Sequence, residues 1–286
     1  MTQIIINGLY TGTQYALIAL GLTLIFALMG VLNFAHGQLY VLGGFVTYYV
    51  YGVLGLPFGI ALLATVATLG LVGIVFDRAL FAPVLARSSR EESSMLLAAG
   101  TALLLESLIL IFFGEKHRGV PGIASGVLKI GDAFLPYGRM AVMVMAGLLI
   151  CGFISFMQYT RPGRALRAIA QDKEAAQLQG VDVKFYSTMG FSMGAVLAGL
   201  AGALLVSISG VNSGLGTWIS IKAFIMVMIG GAGVVSGAIL GGFILGMLES
   251  FGYHFFPGGE TYLMIFIALI VFLTIRPQGL MGKPWG

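Results

Sequence analysis

Apolar residues run almost unbroken through the first quarter of the chain, punctuated by glycine, proline and uncharged polar positions, and no Asp, Glu, Lys or Arg occurs before Asp77. About 20 apolar residues cross the hydrocarbon of a bilayer, so this stretch must cross more than once. Followed to the C-terminus, the pattern predicts hydrophobic blocks over 4–32, 37–54, 58–81, 95–113, 140–159, 187–209, 219–249 and 262–275. The seventh is too long and too glycine-rich for one straight helix: 219–229 falls short of a span, Gly230-Gly231-Ala232-Gly233 interrupts it, and 234–249 resumes. The expectation is an all-α fold, a polytopic transmembrane helical bundle of eight hydrophobic blocks with one split, forming a single domain over 1–286.

Glycine supplies 43 of the 286 residues and recurs at small-residue spacings, as in Gly190 and Gly194, Gly199 and Gly202, and Gly241, Gly242 and Gly246. Apolar burial cannot drive helices together in lipid, so small residues that let backbones approach closely mark the seams. Two stretches read alike: Gly30-Val31-Leu32-Asn33-Phe34-Ala35-His36-Gly37 before Leu42-Gly43-Gly44-Phe45, and Gly230-Gly231-Ala232-Gly233-Val234-Val235-Ser236-Gly237 before Leu240-Gly241-Gly242-Phe243. Matching interrupted segments point to a transport pathway, because unwound backbone at membrane depth is tolerated only against protein or water. Asn33, His36, Gly37, Gly230, Gly231, Gly233 and Gly237 are the candidate pathway residues, with packing alone as the competing reading.

Composition excludes a water-soluble domain: 58% of residues are hydrophobic and 9% charged, against roughly a quarter charged in soluble proteins. The net charge of +4 is small and no basic cluster is interleaved with aromatics, so no nucleic-acid partner is expected. Met1-Thr2-Gln3 lacks the basic start of a cleavable signal peptide, and the first block reads as a retained span. The single cysteine, Cys151, excludes an intrachain disulfide and reads as a small core residue. His36, His117 and His254 give no metal spacing, and neither a phosphate loop nor a Ser/His/Asp or paired-carboxylate arrangement stands out. Neither enzymatic activity, nor a metal, nor a cofactor in this chain is expected.

Orientation follows lysine and arginine in short loops. The link over 78–92 (Arg78, Arg87, Arg90), the link over 160–186 (Arg161, Arg164, Arg167, Lys173, Lys184) and the tail (Arg276, Lys283) hold ten of the fifteen basic residues, against four over 114–139. The first three are expected in the cytoplasm. Counting outward from 160–186 gives nine crossings, a cytoplasmic C-terminus and an outward N-terminus.

The link over 160–186 carries a structure of its own. Asp172 is placed as an N-cap, Glu174 falls in the first turn where its charge suits the dipole, and Gly180 stands where a left-handed residue would end a helix over 173–179. Two turns are too short to persist alone in water, so this helix must dock. Ala175, Ala176 and Leu178 offer a small, flat face that suits a partner groove better than lipid headgroups.

Glu174-Ala175-Ala176 followed by Gly180 is similar to the EAA loop of ABC-transporter permeases, the segment that enters the ATPase subunits as a coupling helix. With Gly21-Leu22-Thr23-Leu24-Ile25-Phe26, Asn33-Phe34-Ala35-His36-Gly37, Gly163-Arg164-Ala165-Leu166-Arg167-Ala168, Lys222-Ala223-Phe224, Gly237-Ala238-Ile239-Leu240-Gly241-Gly242 and Arg276-Pro277-Gln278-Gly279-Leu280, nearly the whole chain resembles the LivH-type permeases of bacterial branched-chain amino-acid ABC importers. The resemblance implies the ABC importer permease fold, a place in the inner membrane, a second permease subunit of similar fold, two cytoplasmic ATPases that bind the ATP, and a periplasmic solute-binding protein. It implies coupling roles for Arg164, Arg167, Asp172, Glu174, Ala175, Ala176 and Gly180. Related permeases for urea, short amides and other small solutes share the Asn-x-Ala-His-Gly stretch, so the solute stays open to them.

Polar residues inside the spans are costly and therefore informative. Glu106, within Leu103-Leu104-Leu105-Glu106-Ser107-Leu108, is expected to face the bundle interior, bonded to another helix or serving transport. Lys222 and Glu249 bound the seventh block and are expected to reach toward the headgroups. A stand-alone channel or ion-coupled carrier is the rival function, and it would place more charge within the spans.

Overall fold

The computed structural model describes residues 1–30, 32–87, 91–256 and 258–282; Val31, Arg90 and Lys283 lie outside the described residues. The chain forms α1 (Thr2–Met29), α2 (His36–Thr47, prolonged by a π-helical turn Tyr48–Val53), α3 (Phe58–Phe76, prolonged by a π-helical turn Asp77–Phe81), α4 (Ala82–Arg87) and α5 (Glu91–Phe113). A hairpin of β1 (Val127–Ile130) and β2 (Ala133–Pro136) follows, then α6 (Tyr137–Tyr159), α7 (Arg161–Gln171), α8 (Lys173–Leu178), α9 (Val183–Ser209), α10 (Leu215–Gly230), α11 (Val235–Phe255) and α12 (Gly258–Ile275). Among the described residues, seven helical stretches are long and apolar enough to cross a membrane, and α10 is a shorter apolar helix.

Every predicted block is met by a helix, and the seventh splits where glycine predicts it, between Gly230 and Val235. Three features depart from the sequence expectation. The link over 114–139 holds an antiparallel hairpin, closed between Ile130 and Ala133 by a turn at Gly131 with φ 61°; its four-residue strands are too short to register as a pattern. The link over 160–186 holds a second helix, α7, started by Thr160, whose hydroxyl accepts from Gly163 N–H at 3.0 Å, and by Pro162 in the first turn. Cys151 faces outward from α6 instead of packing in the core.

Two three-helix units run in opposite directions. Gly21 meets Gly194 while Leu28 meets Gly190, so α1 is antiparallel to α9; Gly12 meets Gly246 while Ala16 meets Gly242, so α1 is also antiparallel to α11. The same relation holds between α9 and α3, with Leu69 beside Gly199 and Gly73 beside Ser192. After α1 the chain turns at Gly30, φ 67°, and folds back to start α2 beside the middle of α1, where His36 meets Ile18. After α9 it turns at Gly210, φ 70°, and α10 starts with Gly216 against Gln38. In both fold-backs an asparagine precedes the first helical residue by three positions and its carbonyl accepts from that residue, His36 N to Asn33 O at 3.1 Å and Leu215 N to Asn212 O at 3.4 Å.

The units α1–α2–α3 and α9–α10–α11 are therefore inverted counterparts, and the equivalent glycines Gly37 and Gly216 touch. This corrects the sequence pairing. The partner of 30–37 is 210–216, not 230–237, because what repeats is an asparagine-closed fold-back, whereas the shared Leu-Gly-Gly-Phe string sits in helices of different rank, α2 and α11.

Glycine makes the seams. A Cβ on Gly246 would strike the backbone of Gly12, and one on Gly21 would lie 2.7 Å from the carbonyl of Gly194. Backbones in such contact gain dispersion that lipid cannot supply to a wider gap. Gly246→Val should lower stability by about 1–3 kcal/mol through overpacking, read as a lower unfolding temperature in detergent. Gly147→Ala, on α6 with open space around it, should be neutral or stabilise by up to about 1 kcal/mol. Equal unfolding temperatures for Gly246→Val and the parent would show that the α1–α11 seam is open.

Candidate translocation site and coupling surface

Asn33 and His36 are fully buried at the fold-back before α2. Asn33 Oδ1 accepts from Ala35 N–H at 3.0 Å, and His36 Nε2 donates to the Ile18 carbonyl at 3.1 Å. Gly37 N–H donates to Ser220 Oγ at 2.9 Å, and that hydroxyl donates to the Phe34 carbonyl at 2.8 Å. A Cβ on Gly37 would strike the Gly216 carbonyl, so α2 and α10 begin backbone to backbone. Among the described residues Asn33 Nδ2, His36 Nδ1 and Gln38 Oε1 are buried with no hydrogen-bond partner. Buried polar atoms are nearly always paired; three exceptions fall within six residues here, and Tyr10, Gln14 and Thr23 on α1 carry others.

Glu106 is turned toward the neighbouring helices and bonded to them, without being fully buried. It is half-buried on α5, where its Oε2 accepts from Gln38 Nε2 at 3.2 Å and from Thr217 Oγ1 at 3.0 Å. The carboxylate thus joins α5 to the first turns of α2 and α10.

Lys222 and Glu249 do not reach for headgroups. They form an ion pair at 3.0 Å, with Glu249 buried, Tyr15 donating to Glu249 Oε2 at 2.6 Å, and Lys222 also bonded to the Tyr15 hydroxyl. The ammonium lies over the rings of Tyr15 and Tyr262, at 5.1 and 5.3 Å from their centroids. Each ion is the other's reason for staying in the membrane. Hydropathy could not show it, because the partners are 27 residues apart on different helices. A second buried acid, Asp77, accepts from the Thr188 hydroxyl and was read from sequence only as the end of an apolar run.

Gly230, Gly231, Gly233 and Gly237 lie at the other end of α10 from Gly37, about 20 Å away along the helix. They form a close-packed turn in which Gly230 and Gly237 press on each other's backbone, and the C-terminal segment completes it: Leu280 N–H donates to the Ile229 carbonyl at 2.9 Å and Met281 N–H to the Gly230 carbonyl at 3.0 Å. The structure does not bring these four glycines to Asn33, His36 and Gly37.

The short helix over 173–179 is present as α8. Asp172 caps it, accepting from Glu174 and Ala175 N–H at 2.9 Å each. Gly180 ends it with φ 81°, and Gly180 N–H to Gln177 O with Val181 N–H to Ala176 O forms the paired C-terminal closure that a left-handed glycine permits. Glu174, Ala175 and Leu178 are exposed, Leu178 at 86%, whereas Ala176 is buried in the chain's own packing. Ala176 is therefore not on the presented face: α8 is so short that one of its small residues is used to seat it. Arg164 and Arg167 are exposed on α7, opposite buried Leu166 and Ile169. A groove of about 540 Å³ beside this surface is lined by Arg78, Pro83, Asp182, Lys184 and Phe185.

Residues 4–274 match the family of permease components of branched-chain amino-acid transport systems. The chain is 30% identical to the high-affinity branched-chain amino acid transport system permease protein BraD of Pseudomonas aeruginosa, with 99% of this chain and 96% of that protein aligned. It is 30% identical, with the same coverage, to the corresponding permease LivH of Escherichia coli K12. The ribose import permease RbsC of the same organism is 25% identical over 94% of this chain and 85% of its own length.

The Lys222–Glu249 pair yields a stability prediction. Lys222→Met or Glu249→Leu alone strands one buried charge and should cost about 3–5 kcal/mol, while the double variant should recover most of that loss. Unfolding temperatures in detergent decide it. A double variant as unstable as the sum of the singles would contradict the pairing.

Proposed function

This chain belongs to the family of branched-chain amino-acid transport-system permease components, and from that premise we propose that it is the membrane-spanning subunit of an ATP-driven importer for branched-chain amino acids in the bacterial inner membrane. It would pair with a second permease of similar fold, take solute from a periplasmic binding protein, and be driven by two cytoplasmic ATPases that bind the ATP. The observation that carries this reading is α8: a two-turn helix, capped at both ends, seated by Ala176 and presenting Glu174, Ala175 and Leu178 outward. A helix this short gains nothing from such exposure unless a partner covers it. Arg164, Arg167 and the adjacent groove extend the docking surface.

Asn33, His36, Gly37 and the start of α10 would line the pathway, where buried polar atoms wait for partners. The carrier reading gains intramembrane charge from Lys222, Glu249 and Asp77, but the first two neutralise each other and Asp77 is held by Thr188. The match to a ribose permease keeps other small solutes as the second reading.

Two measurements test this. Leu178→Asp should place a charge in the docked face, and Gly180→Val should strain the left-handed terminus by about 1–2 kcal/mol; each should cut co-purification of the ATPases by about tenfold or more while the bundle still inserts. Retained ATPases in both variants would remove α8 as the coupling helix. With Cys151 replaced by alanine, Lys173→Cys should be labelled by an impermeant thiol reagent only from the cytoplasm and Lys116→Cys only from outside; the reverse pattern would overturn the orientation.

A further inference from the structure

We infer that Glu106 and Gln38 form the station within the membrane at which the ammonium group of the passing amino acid is held, an inference that rests on the importer reading. Glu106 stands seven residues from the end of α5, about 10 Å inside it, beside exposed Leu103 on the same helix face. A half-exposed carboxylate at that depth needs water, a cation or a partner. Among the described residues both of its hydrogen bonds fall on Oε2, which leaves Oε1 without a bond to them. Gln38, 1% exposed, spends its amide N–H on Glu106 and keeps its buried Oε1 without a partner. Two acceptors on adjacent side chains suit a primary ammonium, which has three donors.

Thr217, exposed in the first turn of α10, spends its hydroxyl hydrogen on Glu106 Oε2, so the uncapped start of α10 holds that carboxylate in place. Lys222, one turn further along α10, is engaged by Glu249 and does not compete for Glu106.

The test uses the complete importer, with its ATPases and binding protein, in proteoliposomes and with Cys151 replaced by alanine. Glu106→Gln keeps an oxygen for Gln38 and Thr217 and removes only the charge. It should lower leucine uptake by about tenfold or more, the loss of one charge-assisted hydrogen bond, with Glu106→Asp retaining part. Independently of uptake, Thr217→Cys should react faster with a cationic methanethiosulfonate reagent than with an anionic one, and Glu106→Gln should abolish that preference. Parental uptake in Glu106→Gln, or a Thr217→Cys inert to both reagents because lipid or the second subunit covers it, overturns the station. Absence of leucine uptake in the parental complex instead removes the importer reading on which the inference stands, while the thiol preference still reports whether the site is wet and negative.

Discussion

The Ser220 hydroxyl holds the middle of this bundle together. It accepts from the Gly37 N–H and donates to the Phe34 carbonyl, the two backbone groups that the fold-back before α2 leaves without helical partners. In an apolar interior each orphaned group costs about 1–3 kcal/mol, and no water from bulk can relieve it. Because Ser220 belongs to α10, the bond that repairs the break in one unit is supplied by the short helix of the other. Glycine at 37 and 216 is what lets the two backbones come near enough for that exchange.

The division of labour follows. The full-length helices α1 and α9 are clamped by α11 and α3 along glycine seams and form a close-packed framework. The short helices α2 and α10 meet inside that framework and abut Glu106, and α2 brings the unpartnered His36 Nδ1 and Gln38 Oε1 there. Under the proposed function α8 receives the ATPase, and the chain passes from Gly180 directly into α9, which runs beside Gly21 and Gly43 to the second fold-back at Gly210. One rigid helix thus joins the docking surface to the site.

Much of this was legible in the sequence, for physical reasons. Long apolar runs announce spans, Gly230 to Gly233 announces a split, and Asp172 with Gly180 announces both ends of α8 because capping chemistry is local. The seams at Gly194, Gly202 and Gly246 were legible as small-residue spacings. Other features depend on partners far apart in sequence. Lys222 and Glu249 looked like headgroup anchors until α10 and α11 lay side by side, and Ala176 looked like contact surface until α7 and α9 packed under α8. The internal pairing went wrong because glycine strings repeat for packing as well as for turns. The signal that could have corrected it is modest: Gly30 and Asn33 before His36, and Gly210 and Asn212 before Leu215, each set asparagine three residues ahead of a helix. Helix α7 was also legible in Thr160 and Pro162, which read as loop only because its arginines dominated the composition.

The measurement closest to the centre of this account is amide hydrogen exchange across 33–39 in the detergent-solubilised protein, with and without Ser220→Ala. If the Ser220 hydroxyl ties the two fold-backs into one unit, these amides exchange slowly in the parent and at least about tenfold faster in Ser220→Ala, a difference of about 1.4 kcal/mol, while amides of the α1–α11 seam stay unchanged. Exchange at 33–39 that is equally slow in both proteins would contradict it.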